Sequence, residues 1–318
     1  MKYRTLGRTG LKISEVGFGG WAIGGSSYGP TDDKVSLRAI KFAADHGITF
    51  FDTADIYGDG HSEKLIGEAL KGTRDKFIIA TKVGWDFYHG GTRKSFDPEY
   101  IRFAVRESLK RLGTDYIDLY QLHNPKLDQI KEGRFYGVLD ELVKEGKIRC
   151  YGISIHNTDE GEAVLAGGKA DAIQLILNIM DQRPMEKVLP KAKDLKVGII
   201  AREPLNCGML TGKYAAGHEF PKTDHRRRWQ SDKIAGDIKR LEEIKAIVKH
   251  SKASLVQAAL EFVLAQQEVS VVIPGAKTEE HVNEHIRASV SPELSKMQIE
   301  ALRSLSQTEL FQSGFYHN

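Results

Sequence analysis

Eight short β-branched runs recur along the chain, and most are followed by a stretch with helical apolar spacing. The runs are SEVGFGG, ITFFDTA, KFIIATKVG, YIDLYQLH, IRCYGISI, AIQLILN, VGIIARE and SVVIPGA. Among the helical stretches are DDKVSLRAIKFAADHG, SEKLIGEALKG, DPEYIRFAVRESLKRLG and MEKVLPKAKDLK. Alternation of this kind implies parallel strands joined by crossover helices, and near-continuous apolar strands imply a sheet buried on both faces. Eight βα units close most economically into a (β/α)8 barrel, an architecture of about 250 residues plus insertions. Asp97-Pro98 marks a helix start, and Gly47, Gly72, Gly113 and Gly146 stand where helices should close. A polar two-stranded opening, a short β-hairpin turning at Arg8-Thr9-Gly10, precedes the first unit. Tyr214 to Gly236, polar and basic without apolar periodicity, reads as an insertion. With no break in composition, residues 1–318 are expected to form one domain.

One motif argues for a different fold. Residues 17–22, GFGGWA, follow a strand and match GxGxxA, and the next strand ends in an acid, Asp52. A dinucleotide fingerprint must open a helix directly, so that the helix N-terminus faces the pyrophosphate. Here AIGGSSYGP intervenes, and Pro30 with Thr31-Asp32 announces a later helix. The alternation also continues to the end of the chain, beyond what a Rossmann half would use. The barrel is the better reading.

Composition narrows the function classes. A formal charge of +3 is small for 318 residues and gives no argument for nucleic-acid or membrane-surface partners, and none is expected. Two cysteines, Cys150 and Cys207, lie far apart without a CxxC, which suits a reducing compartment. The opening MKYRTLGRTGLKIS has no apolar leader, and no run is long enough to span a bilayer. The expectation is a cytoplasmic protein acting on a small molecule. HVNEH, residues 281–285, spells an inverted zincin motif, but no third ligand accompanies it, and no metal is expected.

In a barrel, residues at the C-terminal strand ends converge on one mouth. Strand two delivers Asp52, with Tyr57 just beyond; strand three delivers Lys82; strand four delivers His123. Taken singly, each has an ordinary structural reading: a loop cap, a rim aromatic, a surface lysine, a packed histidine. Together they suggest chemistry. A phenol with a pKa of about 10 is a poor acid at neutral pH. An ammonium about 4 Å away contributes roughly 4 kcal/mol at an effective dielectric of about 20, enough to lower that value. A buried lysine needs a carboxylate in turn. Asp52 would hold Lys82, Lys82 would tune Tyr57, and Tyr57 would protonate a carbonyl oxygen as hydride reaches its carbon. His123 would orient the same carbonyl. The hydride must come from a cofactor.

These residues sit within motifs that run along nearly the whole chain: GRTGLKISEVGFGGW, FDTADIYGDGHSEKLIGEAL, TKVG, LGTDYIDLYQLHNP, GISIHN, PLNCGMLTGKY and IPGAKTEEHVNEH. In this ordered set the chain resembles the aldo-keto reductase family. The resemblance implies an NAD(P)H-dependent reductase on a (β/α)8 barrel, with Asp52, Tyr57, Lys82 and His123 matching the catalytic tetrad and Tyr57 the general acid. It places Gly20, Trp21 and Asp52 beside the cofactor and assigns the nicotinamide carboxamide to Ser154 and Gln174. The residue after that serine is often asparagine; here it is Ile155. Arg202 stands where an aromatic commonly stacks on the nicotinamide. Pro204, Leu205, Gly208, Leu210 and Lys213 match the loop over the pyrophosphate, with an ordinary glycine turn as the alternative. Gly275, Lys277, His281, Glu284 and His285 match the adenosine end, where Lys277 would meet a 2′-phosphate and favour NADP(H) over NAD(H).

Trp21 and Trp85 lie just past strand ends and are candidate walls of a substrate pocket shared with Tyr57 and His123. Arg226-Arg227-Arg228-Trp229 reads as a solvated charged loop or as a contact for an anionic substrate. The expected activity is reduction of a small aldehyde, ketone or sugar carbonyl, or oxidation of the alcohol. Two alternatives stand beside it: a nicotinamide-nucleotide-sensing regulatory subunit and an NAD-dependent sugar or alcohol dehydrogenase. Substrate and oligomeric state are not set by the sequence.

Overall fold

The computed structural model describes residues 1–25, 27–215 and 217–312; Ser26, Ala216 (within the expected insertion) and residues 313–318 lie outside the described residues. Strands β1 (Tyr3–Thr5) and β2 (Lys12–Ser14) form the antiparallel hairpin expected at the start. The remaining strands are β3 (Phe18–Gly19), β4 (Phe50–Asp52), β5 (Ile78–Val83), β6 (Trp85–Asp86), β7 (Arg93–Lys94), β8 (Ile117–His123), β9 (Ile148–Ser154), β10 (Ala172–Ile176), β11 (Gly198–Arg202) and β12 (Val269–Val272). Eight of them form one parallel sheet in the order β3-β4-β5-β8-β9-β10-β11-β12. The ends meet through backbone bonds: Val272 N–H donates to Glu15 O at 2.9 Å, Gly17 N–H to Val272 O at 2.8 Å, and Gly19 N–H to Pro274 O at 3.0 Å. The sheet is a closed barrel.

The crossover helices follow the sequence pattern. They include α1 (Asp33–Asp45), α2 (His61–Ala69), α3 (Pro98–Leu112), α4 (Leu127–Glu132), α5 (Tyr136–Lys144), α6 (Thr158–Gly167) and α7 (Pro184–Asp194). After these come α8 (Ser231–Val248), α9 (Leu255–Leu264), α10 (Glu279–Val290), α11 (Lys296–Ser304) and α12 (Glu309–Gln312). Helix α8 begins inside the stretch read as insertion, so its helical pattern starts earlier than the polar composition suggested. The β6–β7 hairpin, too short for a periodicity signal, was not expected.

Two apolar layers result from the period of two along each strand. Residues such as Phe51, Ile79, Tyr120, Ile153, Ile173 and Ile199 face outward into the cluster shared with the helices. Phe50, Ala80, Leu119, Cys150, Ala172, Ile200 and Val271 face inward and form the barrel's own core with Leu6 and Ile13 of the hairpin. The hairpin therefore plugs the N-terminal end. Its approach is close: a Cβ on Gly198 would lie 2.6 Å from Leu6 Cδ1, and one on Gly7 would lie 2.2 Å from Gly198 N. Gly7 also adopts φ +48°, so glycine suits this contact on both sides. Arg4 fastens the plug by donating to the carbonyls of Leu264 (2.6 Å), Val269 (2.7 Å) and Gln266 (3.2 Å).

Counting two residues toward the C-terminal end from each inward apolar residue changes the chemistry. Phe50 leads to Asp52, Ala80 to Lys82, Leu119 to Gln121 and then His123, Ala172 to Gln174, and Ile200 to Arg202. One end of the barrel interior is apolar and plugged; the other is polar and open to loops. Among the described residues, no helix is long and apolar enough to cross a membrane.

Candidate active site

Lys82 is at the centre of the polar end and is fully buried. Its ammonium donates to Asp52 Oδ1 at 2.6 Å, to the Thr53 carbonyl at 2.8 Å and to the Tyr57 hydroxyl at 3.2 Å. Asp52 Oδ2 accepts from Gln174 Nε2 at 2.7 Å and from Gln121 Nε2 at 3.1 Å. The carboxylate is thus held by three strands besides its own. The His123 ring meets the Tyr57 ring edge-on with centroids 5.9 Å apart, and the indole of Trp21 stacks at 6.0 Å on the other side. The four residues expected to converge do so.

Burial pulls the Lys82 ammonium down, but the Asp52 carboxylate and the Tyr57 oxygen hold it above the ordinary lysine value. Burial pushes the Tyr57 phenol up; Lys82 and Arg202 pull it down, Asp52 pushes it up, and the balance is upward. The sequence reading had Lys82 lowering this phenol outright. The lysine does act in that direction, yet dehydration of the site outweighs it, so Tyr57 keeps its proton at neutral pH. Burial, followed by Lys82, Lys94 and Arg202, drives His123 well below the ordinary imidazole value, and a neutral ring results. Its Nδ1 is buried without a protein hydrogen-bond partner among the described residues.

The positions matched to a nicotinamide cofactor fall on the same face. Ser154 lies between His123 and Gln174 in strand register, and its hydroxyl donates to Asn124 Oδ1 at 2.7 Å. Gln174 gives its amide N–H groups to Asp52 and Gln121, leaving its carbonyl oxygen without a partner among the described residues. Arg202 pairs with Glu203 and donates to Ile155 O at 3.1 Å, with His156 Nδ1 at 3.3 Å; its Nε is buried and has no partner among the described residues. Gly20 is required by closeness, since a Cβ there would lie 2.7 Å from Ser62 Oγ and 2.9 Å from Asp52 O. Pro204 and Leu205 lead into a tight turn over Asn206–Thr211 with Cys207 at φ 51° and Gly208 at φ 93°. Leu210 is buried there, and Lys213 follows with its ammonium 5.1 Å from the Tyr214 ring centroid. The thiol of half-buried Cys207 is pushed up by desolvation and then by Glu203.

At the far end Gly275 bridges Gly19. Lys277 donates to the carbonyls of Tyr28 (2.7 Å), Gly29 (3.1 Å) and Pro30 (3.3 Å). Burial lowers its pKa, and Lys213 and Arg226 lower it further. His281 is lowered by burial and then by Lys213. Lys213, Arg226, Lys277 and His281 therefore lie near one another, with Asp224, Glu280 and Glu284 offsetting part of the positive charge. Glu284 accepts from Ser254 at 2.6 Å and joins α10 to α9. His285 is buried, and burial pushes it down to about 3. The HVNEH histidines form no metal-binding group among the described residues.

Arg227 and Arg228 are exposed, as the solvated reading of the insertion expects, but Arg226 departs from it. Arg226 is buried, paired through two nitrogens with Asp224 (2.9 and 2.6 Å), and donates at 2.8 Å to both Cys207 O and Tyr214 Oη. Its guanidinium lies 4.2 Å from the Phe220 ring centroid and 4.9 Å from that of Tyr28. His225 bonds Ser27 O through its ring at 2.8 Å, and its ring centroid is 4.7 Å from that of Trp21. The insertion thus folds over the loop after β3 and onto the mouth. Trp85 instead carries Lys94 4.4 Å from its centroid on the β6–β7 hairpin. No ring contact joins it to Trp21, Tyr57 or His123 among the described residues.

Sequence reasoning missed Gln121, Tyr28, His225 and Asn124. Gln121 was findable: it is a lone amide two residues before His123, on the same strand face. The other three are in loops whose paths no periodicity encodes.

A model of the aldo/keto reductase family matches residues 15–307. The chain belongs to this family. It is 35% identical over 284 residues to the aldo-keto reductase YhdN of Bacillus subtilis, covering 87% of this chain and 85% of that protein. It is 33% identical over 306 residues to the NADH-specific methylglyoxal reductase of Escherichia coli, covering 91% and 93%. The holo form of the aldo-keto reductase AKR11C1 from Bacillus halodurans superposes with a TM-score of 0.82 at 31% identity, covering 96% of each chain. This family member is accordingly a nicotinamide-dependent oxidoreductase built on a barrel, and the Rossmann alternative is excluded.

His285 yields a stability prediction. Its folded value of about 3 lies below the ordinary 6.5, so as pH falls through 6.5 the unfolded chain takes up a proton that the folded chain refuses. The stability this confers is complete above pH 6.5 and drains away toward pH 3. Urea unfolding at pH 7.5 and 4.5 should show wild type losing about 1–3 kcal/mol more than His285→Asn over that interval. Equal losses would contradict a neutral, buried ring.

Proposed function

We propose that this protein, on a single (β/α)8 domain, reduces a small aldehyde, ketone or sugar carbonyl with hydride from NADPH, Tyr57 serving as proton donor. The observation that carries the proposal is the 3.2 Å contact between the Lys82 ammonium and the Tyr57 hydroxyl, anchored by Asp52 at 2.6 Å. A bound nicotinamide supplies the hydride and its electron pair. The chain's own residues deal with the oxygen. As the carbonyl carbon gains hydride, its oxygen gains negative charge and takes the Tyr57 proton, giving the alcohol. The phenolate left behind faces an ammonium already in place, so little reorganisation is needed. Neutral His123 offers an N–H to the same oxygen without competing for the proton. Trp21 and His225 supply apolar and aromatic walls that keep water from the reacting centre.

The residues fit such a cofactor. The unpartnered Gln174 oxygen suits a carboxamide N–H, and the Arg202 plane suits stacking on a ring. The cations around Lys277 suit phosphates. A second reading, use of NADH, draws on two observations. Lys277 already satisfies three loop carbonyls, and the Escherichia coli relative is named as NADH-specific.

Tyr57→Phe should bind nucleotide within about twofold of wild type yet lose roughly 10²- to 10⁴-fold in turnover across a panel of aldehydes and ketones. Unchanged turnover removes Tyr57 from the proton-donor role. A wild type that binds nucleotide and reduces nothing on the panel favours a sensing subunit instead. Titration of Lys277→Ala by nucleotide fluorescence should raise the NADPH Kd by about tenfold or more relative to the NADH Kd, as loss of a charge-assisted bond implies. Equal losses would confine Lys277 to holding the loop after β3.

A further inference from the structure

The residue after Ser154 is Ile155, and the structure gives it no polar role. Its side chain is 2% exposed within the outer apolar cluster. Its N–H donates to Gln174 O at 2.9 Å, and its carbonyl accepts from Arg202. A nicotinamide carboxamide held by Ser154 and Gln174 would therefore lack a donor from this position. Arg202 reaches the neighbourhood, but its terminal nitrogens are taken up by Glu203, Ile155 O and His156.

The neighbouring strand offers an alternative. Asn124 follows His123 at the end of β8, and its N–H donates to Ser154 O at 3.1 Å. Its side-chain oxygen accepts from Ser154 Oγ at 2.7 Å, while its Nδ2 has no partner among the described residues. The backbone at Asn124 is left-handed, φ +58°, a conformation that asparagine tolerates better than most residues. Lys94 reinforces it from the β6–β7 hairpin, donating to His123 O at 2.5 Å and Asn124 O at 2.9 Å. A strained backbone, pinned from behind, thus presents a half-buried amide beside the serine of the proposed carboxamide site.

We propose that Asn124 completes the nicotinamide carboxamide cradle, its free Nδ2 donating to the carboxamide oxygen beside Ser154 and Gln174. The assignment rests on the nicotinamide reading above. It makes Asn124 a cofactor-binding residue and Lys94 a positioning residue that acts through the Asn124 backbone.

The test separates the nicotinamide end of the cofactor from the adenosine end. Asn124→Gly keeps the left-handed backbone accessible and deletes the amide. Asn124→Asp keeps size and the acceptor for Ser154 but removes the donor. Kd values are measured by calorimetry for NADPH, NADH, ADP-ribose and 2′-phospho-ADP-ribose, the last two lacking the nicotinamide. In both variants the Kd of whichever reduced nucleotide binds wild type more tightly should rise about 3- to 10-fold, the range for one neutral hydrogen bond. Its nicotinamide-free counterpart should change less than twofold, which also reports an intact fold. Equal losses for both ligands, or no loss for either, would overturn the assignment. A wild type that binds ADP-ribose no more weakly than NADH, and 2′-phospho-ADP-ribose no more weakly than NADPH, would also overturn it, while sparing the barrel and its phosphate-binding end. A wild type that binds none of the four would overturn the cofactor reading and this inference with it.

Discussion

A fully buried ammonium is costly unless its partners are fixed before it arrives. In this chain Lys82 meets that condition through Asp52, Thr53 O and Tyr57, and Asp52 in turn is held by Gln121 and Gln174. Five elements of the barrel, β4, β5, β8, β10 and the loop after β4, must be in register for that set to exist. The closed sheet and its plug are what fix the register. With Leu6 and Ile13 filling one end, the inward faces of the strands are assigned, and the polar residues two steps along have only one place to go.

This accounts for how much could be read beforehand. The strand ends, read along the runs, place Asp52, Lys82 and His123 at one mouth from sequence alone, whereas Gln174 and Arg202 entered only through the family resemblance. Counting back two residues from His123 reaches Gln121, which went unnoticed because it precedes the strand end where attention falls. The direction of the Tyr57 shift was not legible, because it depends on how completely Trp21, His123 and the insertion exclude water. Arg226 looked like a solvated cation for a related reason: composition records charge, whereas its bidentate Asp224 and three aromatic neighbours are set by the fold of the loop. The resemblance singled out Lys277 as a cation, but its role as donor to the loop carbonyls 28–30 was not legible.

On the proposed reading of the mouth, Ile155 would withhold a polar contact from the nicotinamide, Arg202 would offer a guanidinium plane in place of a ring, and Asn124 would supply the missing donor. The insertion, by placing His225 on Trp21 and Arg226 under Tyr28, ties the loop after β3 to the turn around Cys207.

Asp52 and Lys82 act as one unit inside the barrel, and a double-mutant cycle on unfolding free energy tests their coupling. Asp52→Asn and Lys82→Met each leave a buried charge uncompensated and are expected to destabilise by about 3–5 kcal/mol. The double variant should cost clearly less than the sum, because neither charge is then left behind. Additive losses would mean that the two side chains are independent, and the explanation of the site would fail with them.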